Sequence, residues 1–343
     1  MDQIRAAARL SVAPMMDWTD RHCRFLHRSL SRRALLYTEM ITAAALVHGD
    51  AARLLRFHPG EHPVALQIGG SEPDLLHRAT EIARDFGYDE INLNVGCPSD
   101  RVQSGAFGAV LMKDPALVRR AMEAIADAAG CMRVSVKCRI GVDDQDPSIV
   151  LPEFLAEIQE GGVRDVIIHA RMAWLQGLSP KENRDIPPLN YDLVRRMKRE
   201  FPGLHLSING GITDLDAAVG FLDAGIAGGL DGGLARGLDG VMIGRAAYHD
   251  PARTLLDVDR RIFGAENPRE SAEDAVRAML PYIAAECAAG TRLAAITRHM
   301  LGLFNGRPGA RHWRRTLSEG AHKPGADHRL VETALGHIGQ RAA

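Results

Sequence analysis

A cysteine that follows a strand-like run is the first candidate for chemistry in this sequence. Ile91–Asn94 has the composition of a buried strand, and Gly96, Cys97 and Pro98 come shortly after it. Pro98 cannot continue a β-ladder because it has no backbone N–H. The thiol is therefore predicted at the carboxyl end of a strand, the face on which barrel enzymes build their active sites. The alternative is a small buried hydrophobe, the commoner role of a free cysteine.

Polar residues, methionines and glycines end several other predicted strands. Lys137 lies in an apolar run and must find an anionic partner, in a ligand or in a structural ion pair, or else lose its charge. His169 is either a ligand contact or a hydrogen-bonded core histidine. The remaining candidates are Pro14, Met15, Met16, Gln67, Asn209, Gly210, Gly211, Gly244 and Arg245. The methionines suit an apolar ring and the glycines suit a phosphate, so the set predicts a flavin site.

Alternating strand and helix patterns must position these residues. The predicted strands are Ser11–Pro14, Leu35–Thr38, Val64–Ile68, Ile91–Asn94, Val134–Cys138, Val166–His169, His205–Asn209 and Val241–Ile243, and the predicted helices include Glu72–Phe86, Pro115–Ala129, Leu151–Glu160, Tyr191–Glu200 and Asp214–Leu222. Pro73, Pro115 and Pro152 are expected near helix starts, where a missing N–H costs little. Eight β-α units in succession predict a (β/α)8 TIM barrel. The competing doubly wound sheet lacks its usual Gly-x-Gly-x-x-Gly signature.

The pattern changes near residue 252. We predict a catalytic, flavin-binding barrel over residues 1–252 and a smaller all-α domain over residues 253–343, with helices near Ser271–Ala289, Leu293–Phe304 and Trp313–Ser318. From Thr291 to Leu330, seven Arg and one Lys face only two acidic residues, which gives +6 in a chain of net charge −1. Such asymmetry indicates a polyanionic partner, and the alternative is a solvated helix face.

Composition excludes several classes of protein. The five cysteines are widely spaced without a Cys-x-x-Cys pair, which disfavours a disulfide framework or a zinc knuckle and favours a reducing compartment. We expect no bound metal. The first residues lack the apolar segment of a signal peptide, and eighteen apolar residues never run together. We therefore expect a cytoplasmic protein without a membrane partner.

Three long segments resemble the tRNA-dihydrouridine synthase family of flavin enzymes, and within it the A subfamily. They are Ser11–Cys23, Ile91–Val102 and Ser179–Leu189. The likeness continues from Ser11 to about Gly264 and resumes over Thr297–Glu319. It implies a barrel that holds FMN through the strand-end residues named above and is reduced by NADPH. It also implies that hydride passes from flavin N5 to uridine C6 in the D-loop of tRNA, at positions 20 and 20a, while Cys97 protonates C5.

The resemblance makes tRNA the expected partner of a monomeric enzyme. An ordinary thiol is mostly protonated at neutral pH, which favours an acid role for Cys97 over a nucleophilic one. The target base lies in the tRNA elbow and must be extruded, so phosphate contacts are needed. Predicted tRNA contacts are Asn94, Lys181, Arg184, Arg298, His299, Arg311, Arg314 and Arg315. Trp313 either stacks on a base or packs in the core.

Two rival functions and one departure from the family remain. A flavin barrel acting on a free pyrimidine explains Cys97 and the flavin residues but gives no role to the basic helices. An RNA-binding module explains the arginines but gives no role to Lys137, Gln67 and Cys97. The segment Ala224–Gly240 is longer and richer in glycine than we expect of the family, and we interpret it as a surface loop before the last strand.

Overall fold

Eight parallel strands form a closed barrel in which each strand pairs with the next and the last pairs with the first. The computed structural model describes residues 2–99, 107–223 and 237–339. The strands are β1 (Leu10–Val12), β2 (Leu35–Thr42), β3 (Val64–Gly69), β4 (Glu90–Val95), β5 (Arg133–Arg139), β6 (Asp165–His169), β7 (His205–Asn209) and β8 (Gly240–Ile243). Every predicted strand overlaps an observed one, so the predicted barrel is confirmed. Most of the glycine-rich segment, residues 224–236, lies outside the described residues.

Helices surround the barrel and alternate with its strands. They are α1 (Asp2–Ala7), α2 (Arg21–Leu30), α3 (Ala43–His48), α4 (Ala51–Leu54), α5 (Pro73–Arg84), α6 (Pro115–Ala128), α7 (Pro147–Glu160), α8 (Tyr191–Glu200), α9 (Leu215–Leu222), α10 (Arg245–His249), α11 (Pro251–Leu255) and α12 (Val258–Phe263). The prediction that Pro152 lies near a helix start is wrong. The Asp146 side chain caps α7 through the Ser148 N–H, and Pro147 is its first residue, so Pro152 lies inside the helix.

Residues along β4 alternate between the side that faces the surrounding helices and the side that faces the barrel interior. Ile91, Leu93 and Val95 are fully buried among the surrounding helices, and each such side chain contributes about 1.5–3 kcal/mol to stability. Asn92 and Asn94 point the other way, because successive side chains in a strand face opposite sides. Both amides make hydrogen bonds to side chains on neighbouring strands, inside the barrel.

A buried ion network fills the amino-terminal end of the barrel. Arg133 donates from Nε to Glu90 at 2.7 Å and from Nη1 to Asp165 at 3.3 Å. Arg5 on α1 donates to the same Asp165 carboxylate at 3.1 Å and closes this end. The network satisfies charges that would otherwise be costly to bury. It also leaves the opposite end of the barrel as the open one.

The chain after β8 is helical in the described residues, as predicted. After α12 come α13 (Ala272–Ala288), α14 (Leu293–Thr297), α15 (Ala310–Gly320) and α16 (His328–Leu335). The predicted helix Leu293–Phe304 is too long. After Thr297 the backbone makes i to i+3 turns, and Gly302 packs so closely that a Cβ there would lie 2.1 Å from the His249 carbonyl oxygen. No helix in the described part of the chain is both long and apolar enough to cross a membrane.

The C-terminal helices pack directly on the barrel through α2. Tyr282 of α13 stacks on Phe25 with ring centroids 3.9 Å apart and meets His22 Nδ1 at 2.7 Å. Asp259 of α12 accepts hydrogen bonds from Ser31 Oγ and the Arg32 amide of the barrel. Contact with the barrel therefore continues beyond residue 252. The domain boundary at that position stays a prediction.

Candidate active site

A pocket of about 500 Å³ opens at the carboxyl ends of the strands. All the residues predicted to bind the cofactor line it, namely Pro14, Met15, Met16, Gln67, Lys137, His169, Asn209, Gly210, Gly211, Gly244 and Arg245. Cys97, Asn94 and Arg184 line the same pocket. The barrel thus brings together side chains that lie more than two hundred residues apart in the sequence. Their individual roles stay predictions.

Cys97 lies on a short loop whose geometry is fixed by Asn94. Asn94 Oδ1 accepts the backbone N–H of Gly96 at 3.1 Å and that of Cys97 at 2.9 Å. The thiol is partly exposed to the pocket and its Sγ lies 3.4 Å from Ser99 Oγ. Cys138, by contrast, is fully buried, and burial raises its pKa to about 12. Cys97 is the one cysteine of the five that lines the pocket.

Lys137 reaches the pocket without an acidic partner. Its Nζ donates to Asn209 Oδ1 at 3.1 Å, and no carboxylate of the described residues lies within ion-pair distance of it. Burial, followed by the nearby charge of Arg139, lowers the pKa of Lys137 to about 8. The ion-pair alternative is therefore not found in the part of the chain that the structure describes. A cation in this state favours an anionic ligand.

His169 has an unused polar atom at the same site. Its Nδ1 is buried and has no hydrogen-bond partner among the described residues. Burial, with the positive charges of Arg139 and Lys137, holds the pKa of His169 well below its ordinary value, so the ring is neutral at neutral pH. His169 therefore does not match the alternative, a core histidine whose ring nitrogens all have hydrogen-bond partners. Buried polar groups usually find a partner, which a ligand in the pocket would supply.

Arg139 is a pocket residue that the sequence interpretation missed. Its Nε donates to the Gly96 carbonyl at 3.1 Å and its Nη1 to the Asn183 carbonyl at 2.9 Å. Burial lowers the pKa of Arg139 to about 10. The signal was available, because Arg139 lies two residues after Lys137 and so faces the same side of β5. Arg139 therefore binds a carbonyl of the Cys97 loop, whereas Asn94 binds its N–H groups.

The ends of β7 and β8 have the predicted glycine backbone. Gly210 and Gly211 have φ of +111° and +70°, values that side chains other than glycine rarely adopt. A Cβ on Gly211 would also lie 2.7 Å from the Tyr191 hydroxyl. Arg245, one of the residues predicted to bind the cofactor, makes an ion pair with Asp185 at 2.6 Å. This pair ties the end of β8 to the long loop after β6.

The predicted tRNA contacts fall into separate groups. Arg184 lines the pocket and Lys181 is exposed on the same loop. Arg311, Arg314 and Arg315 are exposed on α15, where Arg314 donates to Asn305 and Arg315 pairs with Glu319. These assignments stay predictions.

The prediction that His299 contacts tRNA is wrong for the arrangement seen here. Its side chain is fully buried, and Nε2 lies 3.0 Å from Asp20 Oδ1 in the loop before α2. Arg298 pairs with the same carboxylate at 2.6 Å and keeps about half of its side chain exposed. Trp313 is also fully buried, so its core-packing alternative is confirmed. Its Nε1 donates to the Met300 carbonyl at 3.1 Å.

A closed (β/α)8 barrel with a cationic pocket and a thiol at its carboxyl end defines the class: it has the arrangement of barrel enzymes. A sequence profile described as Dihydrouridine synthase (Dus) matches residues 11–338, and the chain belongs to that family. The resemblance drawn from the three sequence segments is thereby confirmed.

Relatives with curated names match almost the whole chain. The chain is 51% identical over 334 residues to the tRNA-dihydrouridine(20/20a) synthase of Xanthomonas axonopodis pv. citri, covering 97% of this chain and 95% of that one. Identity to the protein of the same name from Vibrio cholerae is 52% over 336 residues, covering 97% of each chain. For Escherichia coli K12 it is 53% over 330 residues, covering 96% of this chain and 91% of that one. A solved structure of an old yellow enzyme homologue from Zymomonas mobilis gives a TM-score of 0.49 at 12% sequence identity. The match covers 75% of this chain and 88% of that one.

Proposed function

We propose that this protein reduces the C5–C6 double bond of uridine in tRNA to 5,6-dihydrouridine, with FMN as cofactor and NADPH as reductant. The observation that carries the proposal is the pocket itself. It lies in a chain that shares about half of its residues with relatives named tRNA-dihydrouridine(20/20a) synthase. One thiol lines it together with Lys137 and Arg139, two cations that have no acidic partner among the described residues, and with the unpartnered Nδ1 of His169. By subfamily, the target is uridine 20 or 20a in the D-loop.

The residues of the pocket fit FMN by their chemistry. Lys137 and Gln67 would face the polar pyrimidine edge, Met15 and Met16 the apolar ring, and the glycines of β7 and β8 the phosphate. His169 Nδ1, buried without a partner among the described residues, would gain one. When bound and reduced, FMN would supply a hydride to C6 of the uracil ring.

Cys97 would complete the reduction as a general acid. As the C5–C6 π pair becomes a C5–H bond, the S–H bond breaks and its proton moves to C5. The resulting thiolate would regain a proton from solvent, and overall one NADPH and one proton are consumed. The loop held by Asn94 and Arg139 keeps the thiol at the pocket. Asn94 Oδ1 is already used by the loop, so its remaining Nδ2 hydrogen is what it can offer to the base.

The basic surface would carry the tRNA. Arg184 and Lys181 flank the pocket, and Arg311, Arg314 and Arg315 extend the positive surface along α15. Phosphate contacts of this kind supply most of the affinity for nucleic acid and make it dependent on salt. They would offset the cost of extruding the target base.

The test is to incubate the FMN-loaded protein with NADPH and unmodified tRNA and to measure dihydrouridine. Cys97→Ala should keep bound FMN and its reduction by NADPH, but lose uridine reduction by about 100-fold or more. Cys131→Ala, at an exposed cysteine outside the pocket, is the matched control and should retain activity.

Three outcomes would contradict the proposal. A protein that takes up no FMN would remove the cofactor. Reduction of free uracil without any change in tRNA would favour the free-pyrimidine alternative. Unchanged turnover of Cys97→Ala on tRNA would end the acid role of the thiol.

A further inference from the structure

A chain of side-chain hydrogen bonds rises through the barrel interior. At its lower end, Glu90 accepts from the Ser135 hydroxyl and is paired with Arg133. Ser135 Oγ accepts from Asn92 Nδ2 at 2.7 Å, and Asn92 Oδ1 accepts from Gln67 Nε2 at 2.8 Å. The barrel register places these last three residues side by side, since Asn92 is opposite Gln67 on β3 and Ser135 on β5.

The upper half of the chain ends at the catalytic candidate. Gln67 Oε1 accepts from Asn94 Nδ2 at 2.8 Å. Asn94 Oδ1 then accepts the backbone N–H groups of Gly96 and Cys97. The buried carboxylate at the base and the thiol loop at the mouth are therefore joined without a break.

The chain has only one consistent direction. A carboxylate only accepts, so the single O–H of Ser135 is used on Glu90 and the Ser135 oxygen must accept from Asn92. Asn92 must then turn its oxygen toward Gln67, which donates to it from Nε2. Gln67 Oε1 therefore faces Asn94 Nδ2, and Asn94 Oδ1 faces the thiol loop. If the amides were reversed, the Asn94 NH2 group would face the Cys97 N–H, donor against donor. An amide has nearly the same shape in both orientations, so hydrogen bonding makes the choice.

We propose that Glu90 and Ser135 are positioning residues for Cys97. They set the orientation of three successive amides, and this orientation gives the thiol loop its acceptor at Asn94 Oδ1. The same orientation turns the second Nε2 hydrogen of Gln67 toward the pocket as a donor. The catalytic meaning of this assignment rests on the proposed function, whereas its effect on the thiol loop does not.

The test is the alkylation rate of Cys97 in protein without FMN. The rate is measured with iodoacetamide over a range of pH, by mass spectrometry of the peptide that contains Cys97, so the other cysteines do not interfere. Ser135→Ala frees Asn92 from its fixed orientation and should raise the rate about three- to tenfold, since the loop loses a hydrogen bond in part of the molecules. Ser135→Thr keeps the hydroxyl and should stay near the wild-type rate.

The matched control is Ser207→Ala, at a buried serine of β7 outside the chain. It should leave the Cys97 rate unchanged, which separates positioning from a general loosening of the barrel. Asn92→Leu is the second variant should Ser135→Ala fail to fold, and it should raise the rate by at least as much. The proposal would be overturned if Cys97 in Ser135→Ala were alkylated at the same rate as in the control Ser207→Ala. If Ser135→Ala does not fold, the same comparison is made with Asn92→Leu.

Activity measurements keep the two proposals apart. If the wild type modifies tRNA, Ser135→Ala should lower kcat about three- to tenfold with KM for tRNA unchanged. If the wild type forms no dihydrouridine but Ser135→Ala still accelerates alkylation, the proposed function fails and the positioning role stands.

Discussion

Replacing Lys137 by methionine should make the protein without FMN more stable while it weakens the binding of FMN. Lys137 is a half-buried cation whose hydrogen-bond partner among the described residues is the neutral Asn209, and its pKa is lowered to about 8. A lowering from 10.5 to about 8 corresponds to about 3 kcal/mol of unfavourable charge burial at pH 7. Loss of the hydrogen bond to Asn209 destabilises the variant by about 1 kcal/mol. The expected net gain is therefore about 2 kcal/mol for the variant, a shift of several degrees in Tm.

The pH dependence has a definite sign. Below pH 8 the lysine is charged in both the folded and the unfolded state, so the wild type carries the full burial penalty. Between pH 8 and the ordinary lysine value of 10.5, the folded state loses its proton first and the penalty fades. The stability difference between Lys137→Met and wild type should therefore shrink as pH rises through this range. Binding of FMN to the wild type should weaken over the same range, because a neutral amine donates a weaker hydrogen bond to the pyrimidine edge than an ammonium group does.

The assay is thermal or urea unfolding of the protein without FMN at pH 7, 9 and 10, with FMN binding followed by its visible spectrum. Lys198→Met is the matched control, since Lys198 is even more buried than Lys137 but donates to the Leu204 carbonyl and pairs with Asp239. Removing that satisfied cation should destabilise the protein. The reasoning is refuted if Lys137→Met loses stability as Lys198→Met does, or if its effect is the same at all three pH values.

Two further predictions concern the helical part of the chain. Changing Arg314 and Arg315 together to alanine should weaken tRNA binding and reduce the slope of log affinity against log salt by about 1–2. The charge-matched double change of Arg53 and Arg56, which are exposed in α4 and just after it, should leave that slope as it is. Asp20→Asn should cost about 2 kcal/mol at pH 7, because the carboxylate binds Arg298 and His299. Burial would raise the pKa of Asp20, but His299 and Arg298 hold it well below its ordinary value. The carboxylate therefore stabilises the fold above about pH 4, and the difference should shrink as pH falls below this value in urea unfolding.

Several features of this protein followed from the sequence alone. The strands of the barrel were predictable because buried β-branched runs alternate with helical periods, and a parallel strand buried on both sides has a short, strong signal. The residues that line the pocket were predictable because Gln67, Cys97, Lys137 and His169 all lie at or just beyond strand ends. In a barrel those ends share one face, so position along the chain was enough to group them.

The tertiary structure decided which of these groups have partners. Nothing in the sequence distinguishes Arg298 and His299 from their basic neighbours, yet packing of the C-terminal helices against α2 buries His299 and gives both an acidic partner in Asp20. Likewise, the predicted strands contain Asn92 and Ser135, and Glu90 directly precedes one of them, but no local pattern predicts that the three side chains make contact. Their contact depends on the register between strands, which is set by the closure of the whole barrel and is absent from any local pattern. Local pattern thus fixes which residues reach the mouth of the barrel, and long-range packing fixes what each of them can still bind.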